Sequence, residues 1–201
     1  MSFAQPRYDG TSLASGQQSD EELMLAYAAG DLQAFCQLYE QHKNPLWRFF
    51  VRRGMATECA EELVQEVWQR VIASAPGYQP SARFTTWLYQ IARNLLADQH
   101  RKAHRRFTLV SDESEALESM ASQDYPEAIT EQGRLALRLK HCLGKLPALQ
   151  LDVFLLKEEA GLTMEQVATI MGAGLDACKS RWRYAVANLS KCIGMGAPAD
   201  D

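Results

Sequence analysis

One pattern repeats along the chain: apolar residues at i, i+3, i+4 and i+7, broken by short polar or glycine-containing interruptions. The clearest instance is ECAEELVQEVWQRVIA, where Ala60, Leu63, Val64, Val67, Trp68, Val71 and Ile72 form one stripe. The opposite face carries Glu61, Glu62, Gln65, Glu66, Gln69 and Arg70, so it is acidic and faces solvent or a partner. The next instance, FTTWLYQIARNLLADQHRKAHRR, turns Phe84, Trp87, Leu88, Ile91 and Leu95 inward by the same rule. It then becomes cationic, with Arg93, Arg101, Lys102, Arg105 and Arg106 and only Asp98 as an acid between residues 93 and 106. A core helix that continues as a basic rod points to a nucleic acid.

The flanking segments are helical by the same test. Ser19 and Asp20 supply an N-cap before EELMLAYAAG, Gly30 closes that helix, and Asp31 can cap the next. In LQAFCQLYEQHKNPLWRFFVRRG the stripe is Leu32, Phe35, Tyr39, Leu46, Phe49 and Phe50, and Pro45 predicts a kink or a split near Lys43. SAPGYQPSAR, residues 74–83, is a loop by its two prolines and a glycine. It is either a plain connector or a functional loop in which Tyr78 and Arg83 offer a stacking surface and a cation beside the basic helix. Residues 107–125 are acidic, Ser-rich and without apolar period, which predicts a flexible linker of about 24 Å average span.

Helices resume from Pro126, with Ile129, Ala136, Leu139, Leu143 and Leu146 on one face. Pro147 opens another, carrying Leu149, Val153, Phe154 and Leu156. Thr163 with Gln166 three positions on is a capping box, and Gly172-Ala173-Gly174 makes a turn. A last helix follows from Asp176, with Cys178, Trp182, Ala185 and Leu189 inward and Lys179, Ser180, Arg181, Arg183 and Tyr184 on its other face. A short helix, a glycine turn and a helix with a basic start predict a helix-turn-helix. The expected fold is therefore all-α. It consists of two small helical domains, 20–106 and 126–193, joined by the acidic linker 107–125, with a disordered tail at 1–19 and a short tail at 194–201.

Composition narrows the class without changing that picture. With 47% hydrophobic and 23% charged residues, the chain has the make-up of a soluble globular protein. No apolar run approaches the roughly 20 residues of a membrane span, and the N-terminal stretch lacks signal-peptide blocks, so a cytoplasmic location without membrane insertion is expected. The net charge of −4 is misleading for a nucleic-acid binder. Residues 107–133 hold seven acids and no Lys or Arg, which leaves 21 cations against 18 acids elsewhere. Cys36, Cys59, Cys142, Cys178 and Cys192 form no C-x-x-C pair and are expected to be buried thiols. His100 and His104 lack the further ligands of a metal site, so no metal or other cofactor is expected.

Two strings carry a family resemblance. AEELVQEVWQRV followed by FTTWLYQIARNLLADQHRK resembles conserved region two of bacterial sigma factors, through Glu62, Leu63, Gln65, Glu66 and Val67, then Trp87, Leu88, Ile91, Ala92, Arg93, Asn94, Asp98 and Arg101. The run LP, VF, GLT, EQVA, MG and KSR after residue 145 is similar to region four. The two-domain extracytoplasmic-function subfamily is the nearest in pattern. Ala177, Trp182 and the Ala148–Leu151 stretch depart from the region-four pattern, where a small polar residue, an aliphatic residue and a polar turn are usual.

The resemblance implies a non-enzymatic initiation factor that directs promoter recognition, DNA melting and transcription initiation at a stress or envelope regulon. Core RNA polymerase would bind Glu61, Glu62, Gln65, Glu66 and Gln69. The start-proximal (minus-ten) promoter element would meet Tyr78, Arg83, Asn94, Asp98, Arg101, Lys102, Arg105 and Arg106, with the 74–83 loop helping to capture a flipped base. The upstream (minus-thirty-five) element would meet Lys179, Ser180, Arg181, Arg183 and Tyr184. An anti-sigma factor, in some cases membrane-anchored, is the further partner that the resemblance implies. The competing reading is a dimeric helix-turn-helix regulator with a ligand-sensing helical domain. An enzyme is disfavoured by the absence of any H-E-x-x-H, glycine-rich phosphate loop or recognisable nucleophile–base spacing.

Overall fold

The computed structural model describes residues 18–109 and 131–194, and its regular elements there are all helical. They are α1 (Asp20–Ala28), α2 (Leu32–Arg52), α3 (Thr57–Ser74), α4 (Phe84–Leu109), α5 (Glu131–Gly144), α6 (Ala148–Glu158), α7 (Met164–Met171) and α8 (Leu175–Ile193). A single 3-10 turn, Ala75–Gly77, follows α3, so the irregular part of the loop is confined to residues 78–83. Most of the expected tails and most of the expected linker lie outside the described residues, and Ser19, the end of the expected N-terminal tail, caps α1. None of the described helices is long and apolar enough to cross a membrane.

Local chemistry sets the helix starts. Ser19 and Glu22 form a reciprocal capping box on α1, the Asp31 carboxylate accepts from the N–H groups of Gln33 and Ala34 on α2, and Thr163 and Gln166 form the box on α7. The last helix has its N-cap at Gly174, two residues before the expected N-cap Asp176, and runs from Leu175. Pro45 does not split α2, which runs unbroken from Leu32 to Arg52. Proline forfeits one backbone hydrogen bond there, but Leu38 on one side and Leu46, Phe49 and Phe50 on the other are fully buried and hold both halves of the helix to the core. Three large residues placed on inward stripes prove exposed instead, Leu32 at 70%, Leu149 at 48% and Ile72 at 43%, and so does the small Ala136. Each lies at an edge of its stripe or in a first turn, where a period of 3.6 carries the side chain away from the core.

α1 to α4 form the N-terminal half. Ala60, Leu63, Val64, Val67, Trp68 and Val71 of α3 pack with Phe84, Leu88, Tyr89, Ala92, Leu95 and Leu96 of α4. Trp68 sits edge-on to Phe35 at 5.6 Å, and Phe49 edge-on to Tyr89 at 5.4 Å. Two carboxylates of α1 tie the half together. Glu21 Oε1 accepts the N–H of Phe84 at 2.7 Å, which caps α4 across 63 positions of sequence. Asp20 pairs with His42 of α2 at 2.9 Å, and the His42 ring lies 5.5 Å from that of Phe84.

In the C-terminal half α6, α7 and α8 surround Leu151, Val153, Leu155, Leu156, Leu162, Val167, Ile170, Cys178 and Ala185. α5 closes the back of α8, where Arg138 Nη2 donates to the Ile193 carbonyl at 2.6 Å. The expectation of five buried thiols fails here. Cys142 of α5 and Cys192 of α8 form a disulfide, Cys36 is exposed and Cys59 half-buried, and Cys178 alone is a fully buried free thiol. Sequence spacing could not reveal that pair, because 50 positions separate residues that helix packing brings to a Cα separation of 5.8 Å.

The two halves touch. α7 packs along α4, and α5 and α6 meet the end of α2. Arg48 Nε donates to Glu159 Oε2 at 3.1 Å, Arg52 pairs with the other oxygen of Glu159, and Arg53 pairs with Asp152. Arg93 of α4 donates to the Ile170 carbonyl at the end of α7, at 3.3 Å.

Candidate functional site

Three polar faces stand opposite the buried stripes. On α3, Glu61, Glu62, Gln65 and Gln69 are exposed, while Glu66 is half-exposed and accepts from Arg70 Nη2 at 2.8 Å. Positions four apart lie about 6 Å from one another along a helix, so these side chains make a continuous acidic ridge. Because Leu63, Val64, Val67 and Trp68 are buried directly behind them, the ridge is held on a rigid backing.

The second face is α4 with the loop before it. Arg83 is exposed beside the start of α4, and its carbonyl accepts the N–H of Trp87 at 3.2 Å. Tyr78 is half-buried: its ring packs 5.4 Å from that of Trp87, and its hydroxyl is buried without a hydrogen-bond partner. Burial, followed by the nearby charges of Glu21 and Asp20, pushes the Tyr78 phenol above its ordinary pKa. One turn beyond Gln90, the exposed Asn94 accepts its amide at 3.4 Å, and Asp98 pairs with Arg101. The side chains of Lys102, Arg105 and Arg106, further along α4, lie outside the described residues. Trp87 itself is half-buried, 5.8 Å from Phe84, and belongs to the packing that supports the loop.

The third face is the start of α8. Gly172 takes a left-handed conformation (φ 60°) that ends α7 and turns the chain into α8, as a helix-turn-helix requires. Cys178 and Ala185 are fully buried and fix the helix rotation. Lys179, Arg183 and Tyr184 then face outward, with Ser180 and Arg181 half-buried beside them. Trp182 stays partly accessible because its indole N–H reaches Glu158 Oε1 at 3.1 Å on α6. Among the described residues no three His, Cys, Asp or Glu side chains gather as a metal site would need.

The structure keeps the three faces on separate helices and adds residues that sequence reasoning passed over. Arg48, Arg52 and Arg53 read as an ordinary cationic helix end, favourable beside the carbonyl terminus of α2. Their carboxylate partners lie about a hundred positions away, which no local pattern encodes.

Comparison with known proteins agrees with this arrangement. The sigma-70 region 2 model matches residues 38–106, and a sigma-70 region 4 model matches residues 136–189. The ECF RNA polymerase sigma factor SigM of Mycobacterium tuberculosis (strain ATCC 25618 / H37Rv) is 28% identical over 179 residues, covering 89% of this chain and 86% of that protein. SigK of Mycobacterium sp. (strain KMS), named likewise, is 28% identical over 178 residues, covering 86% and 90%. Among solved structures, the sigma factor RpoE of Bartonella quintana, in complex with the anti-sigma factor NepR, superposes with a TM-score of 0.68 at 23% identity, covering 82% of this chain and 99% of that one. Both matched segments fall on the helices that carry the three faces, and the chain belongs to the extracytoplasmic-function branch of the sigma-70 family of RNA polymerase sigma factors.

Proposed function

We propose that this sigma factor holds core RNA polymerase with the acidic ridge of α3, engages the start-proximal promoter element with α4 and the loop before it, and reads the upstream element with α8. The carrying observation is the separation of the three faces, each opposite its own buried stripe. An acidic ridge suits a basic protein partner and repels DNA, whereas Arg83, Arg101 and the cations farther along α4 suit phosphates. Asn94 and Arg83 can take up polar edges of an unpaired base, with the Tyr78–Trp87 packing keeping the loop in place. On α8, Lys179 and Arg183 are suited to set position on the backbone, while Arg181, Ser180 and Tyr184, within a turn or so of them, are the side chains to read base edges in the major groove.

The chain works as a specificity subunit, with no bond-breaking chemistry of its own, in the cytoplasm where its polymerase and promoter DNA are. RpoE of Bartonella quintana is known in complex with an anti-sigma factor. We extend that kind of partner to this chain, as a small protein that withholds it from polymerase until a stress or envelope signal arrives. Reconstitution tests the whole reading. Core polymerase plus the purified chain should start run-off transcripts from a cognate promoter fragment, and core alone should not. A chain that binds duplex DNA tightly without polymerase, and adds nothing to transcription, would overturn it.

A further inference from the structure

We infer that α1 is a brace for the promoter-facing loop. Glu21, with the Asp20–His42 pair beside it, sets where residues 78–83 and the start of α4 stand, and so which bases of the melted strand they take. This deepens the proposed function, since it rests on the loop and α4 being the start-proximal promoter face. Both carboxylates lie ahead of residues 38–106, so the brace comes from outside the segment that the region 2 model matches.

The loop is pinned at both ends by α1. At its far end the fully buried Phe84 opens α4, and its N–H is one of the donors that a helix start leaves without a partner inside the helix. The residue before it is Arg83, whose side chain carries donors only and cannot cap that N–H. Glu21 Oε1 accepts it instead, at 2.7 Å. The positive end of a 26-residue helix further favours a carboxylate there. The Phe84 ring is held separately, 5.5 Å from the His42 imidazole, which Asp20 in turn holds at 2.9 Å. At the near end of the loop α1 packs on the 3-10 turn Ala75–Gly77. The Ser19–Glu22 capping box fixes the first turn of α1, from which both carboxylates project.

Charge is the reason the brace bears on recognition. Asp20, Glu21 and Arg83 line one cleft. Carboxylates in that position would repel a phosphate strand, or hold the arginine for themselves, unless they were occupied elsewhere. Each has another partner: Asp20 has the imidazole and Glu21 the helix start. Their field still reaches the loop, because after burial they are the causes that raise the Tyr78 phenol. Loss of Glu21 therefore loosens the turn at Phe84, shifts Arg83 beside it and disturbs the Tyr78–Trp87 packing one turn into α4. The α3 ridge and the start of α8 rest on their own buried stripes, so this shift leaves them in place.

The test uses holoenzyme reconstituted from core polymerase and the full chain. Its probes are single-stranded oligonucleotides carrying the start-proximal element of a promoter that the wild type transcribes, native or with one base replaced. In Glu21→Ala, discrimination between native and replaced oligonucleotides should fall by about tenfold, the worth of one well-made base contact. Glu21→Gln keeps the acceptor and should recover most of it. Core affinity and upstream protection should stay within about twofold, as for an independent site. Glu21→Asp keeps the charge but withdraws the oxygen by one methylene. It should fall between wild type and Glu21→Ala, and it carries the test if the alanine variant no longer binds core. His42→Leu strands the Asp20 charge and should weaken every oligonucleotide, with a deficit against wild type that narrows as salt screens it. Full discrimination in both Glu21→Ala and Glu21→Asp would overturn the brace. So would equal weakening of native and replaced oligonucleotides in these variants, which is what a merely loosened fold gives. A His42→Leu deficit that salt does not narrow would overturn the masking of Asp20. Failure of the wild-type chain to support run-off transcription with core would instead sink the functional reading beneath it.

Discussion

Cys142 on α5 and Cys192 on α8 are joined in a disulfide that closes a loop of 50 positions, most of the C-terminal half. The bond acts mainly on the unfolded chain, and loop-closure entropy for this length is worth about 4 kcal/mol at 25 °C. Reduction, or Cys142→Ser, should lower the stability of the C-terminal half by up to that amount. Hydrogen exchange followed by peptide is the check: protection of α5 to α8 should fall and that of α3 should not. Equal protection before and after reduction would contradict it.

Charge reversal on α3 should separate polymerase binding from folding. Glu62 is exposed and Glu66 is half-exposed, so Glu62→Lys/Glu66→Lys should leave thermal stability nearly unchanged. Association with core polymerase should drop by several kcal/mol, the cost of like charges facing across an interface. Co-elution with core on gel filtration reads the result directly.

On α8, Lys179→Ala and Arg181→Ala should act differently. Lys179 is exposed, and on the proposed reading, in which it contacts phosphate, its loss should weaken all promoters alike and flatten the salt slope. Arg181 is half-buried, and on the proposed reading, in which it reads a base edge, its loss should cost about 1–3 kcal/mol at the upstream element only. Footprinting of holoenzyme on matched and mismatched upstream elements distinguishes the two. Full upstream protection in the double variant would mean that another helix reads this element.

Glu21→Ala removes the 2.7 Å acceptor from the Phe84 N–H, at a helix start whose first side chain is fully buried. A loss of about 1–2 kcal/mol is expected, comparable to deletion of an N-cap. Glu21→Gln keeps an oxygen in place and should recover much of it. Urea midpoints of the three proteins are the measurement.

Alkaline pH should expose the buried phenols. Burial is the first cause of the raised pKa of both Tyr89 and Tyr78. The folded chain holds these protons longer than the unfolded chain does. Their contribution to stability is therefore complete below the ordinary tyrosine pKa of about 10 and is lost as pH rises through the folded values. Stability should decline above about pH 10, and Tyr89→Phe should flatten that decline. Since the Tyr89 hydroxyl is buried without a partner, its removal should not destabilise the protein at neutral pH.

The periodic stripes were enough to find α2 to α8, because each buries one face and helix faces are a local property of sequence, while α1 was marked by its N-cap and its closing glycine. The N-cap at Ser19 and the capping box at Thr163 were legible for the same reason. The split that Pro45 allowed does not occur, because its local cost is set against burial on both sides of it, which only tertiary structure supplies. Cys142 with Cys192, Glu21 with the Phe84 amide, and Arg53 with Asp152 were invisible for one shared reason: each joins residues 50 to 99 positions apart through packing. The candidate faces were legible as charge patterns. Their accessibility was not, and Tyr78 is the case in point, with a ring packed on Trp87 where the pattern offered a free stacking surface.

The Glu21–Phe84 cap also orders events in time. α1 has nine residues, too few to persist alone in water, so it is helical only once docked. It leaves the ribosome before α2, α3 and α4, yet its carboxylate has nothing to cap until residue 84 has been made, roughly 3–13 seconds later at about 5–20 residues per second. Throughout that interval the sites that receive Leu23 and Met24 are incomplete. The N-terminal half is thus finished by its oldest segment, and a nascent chain stalled before α4 presents an apolar α1 with no place to bury it.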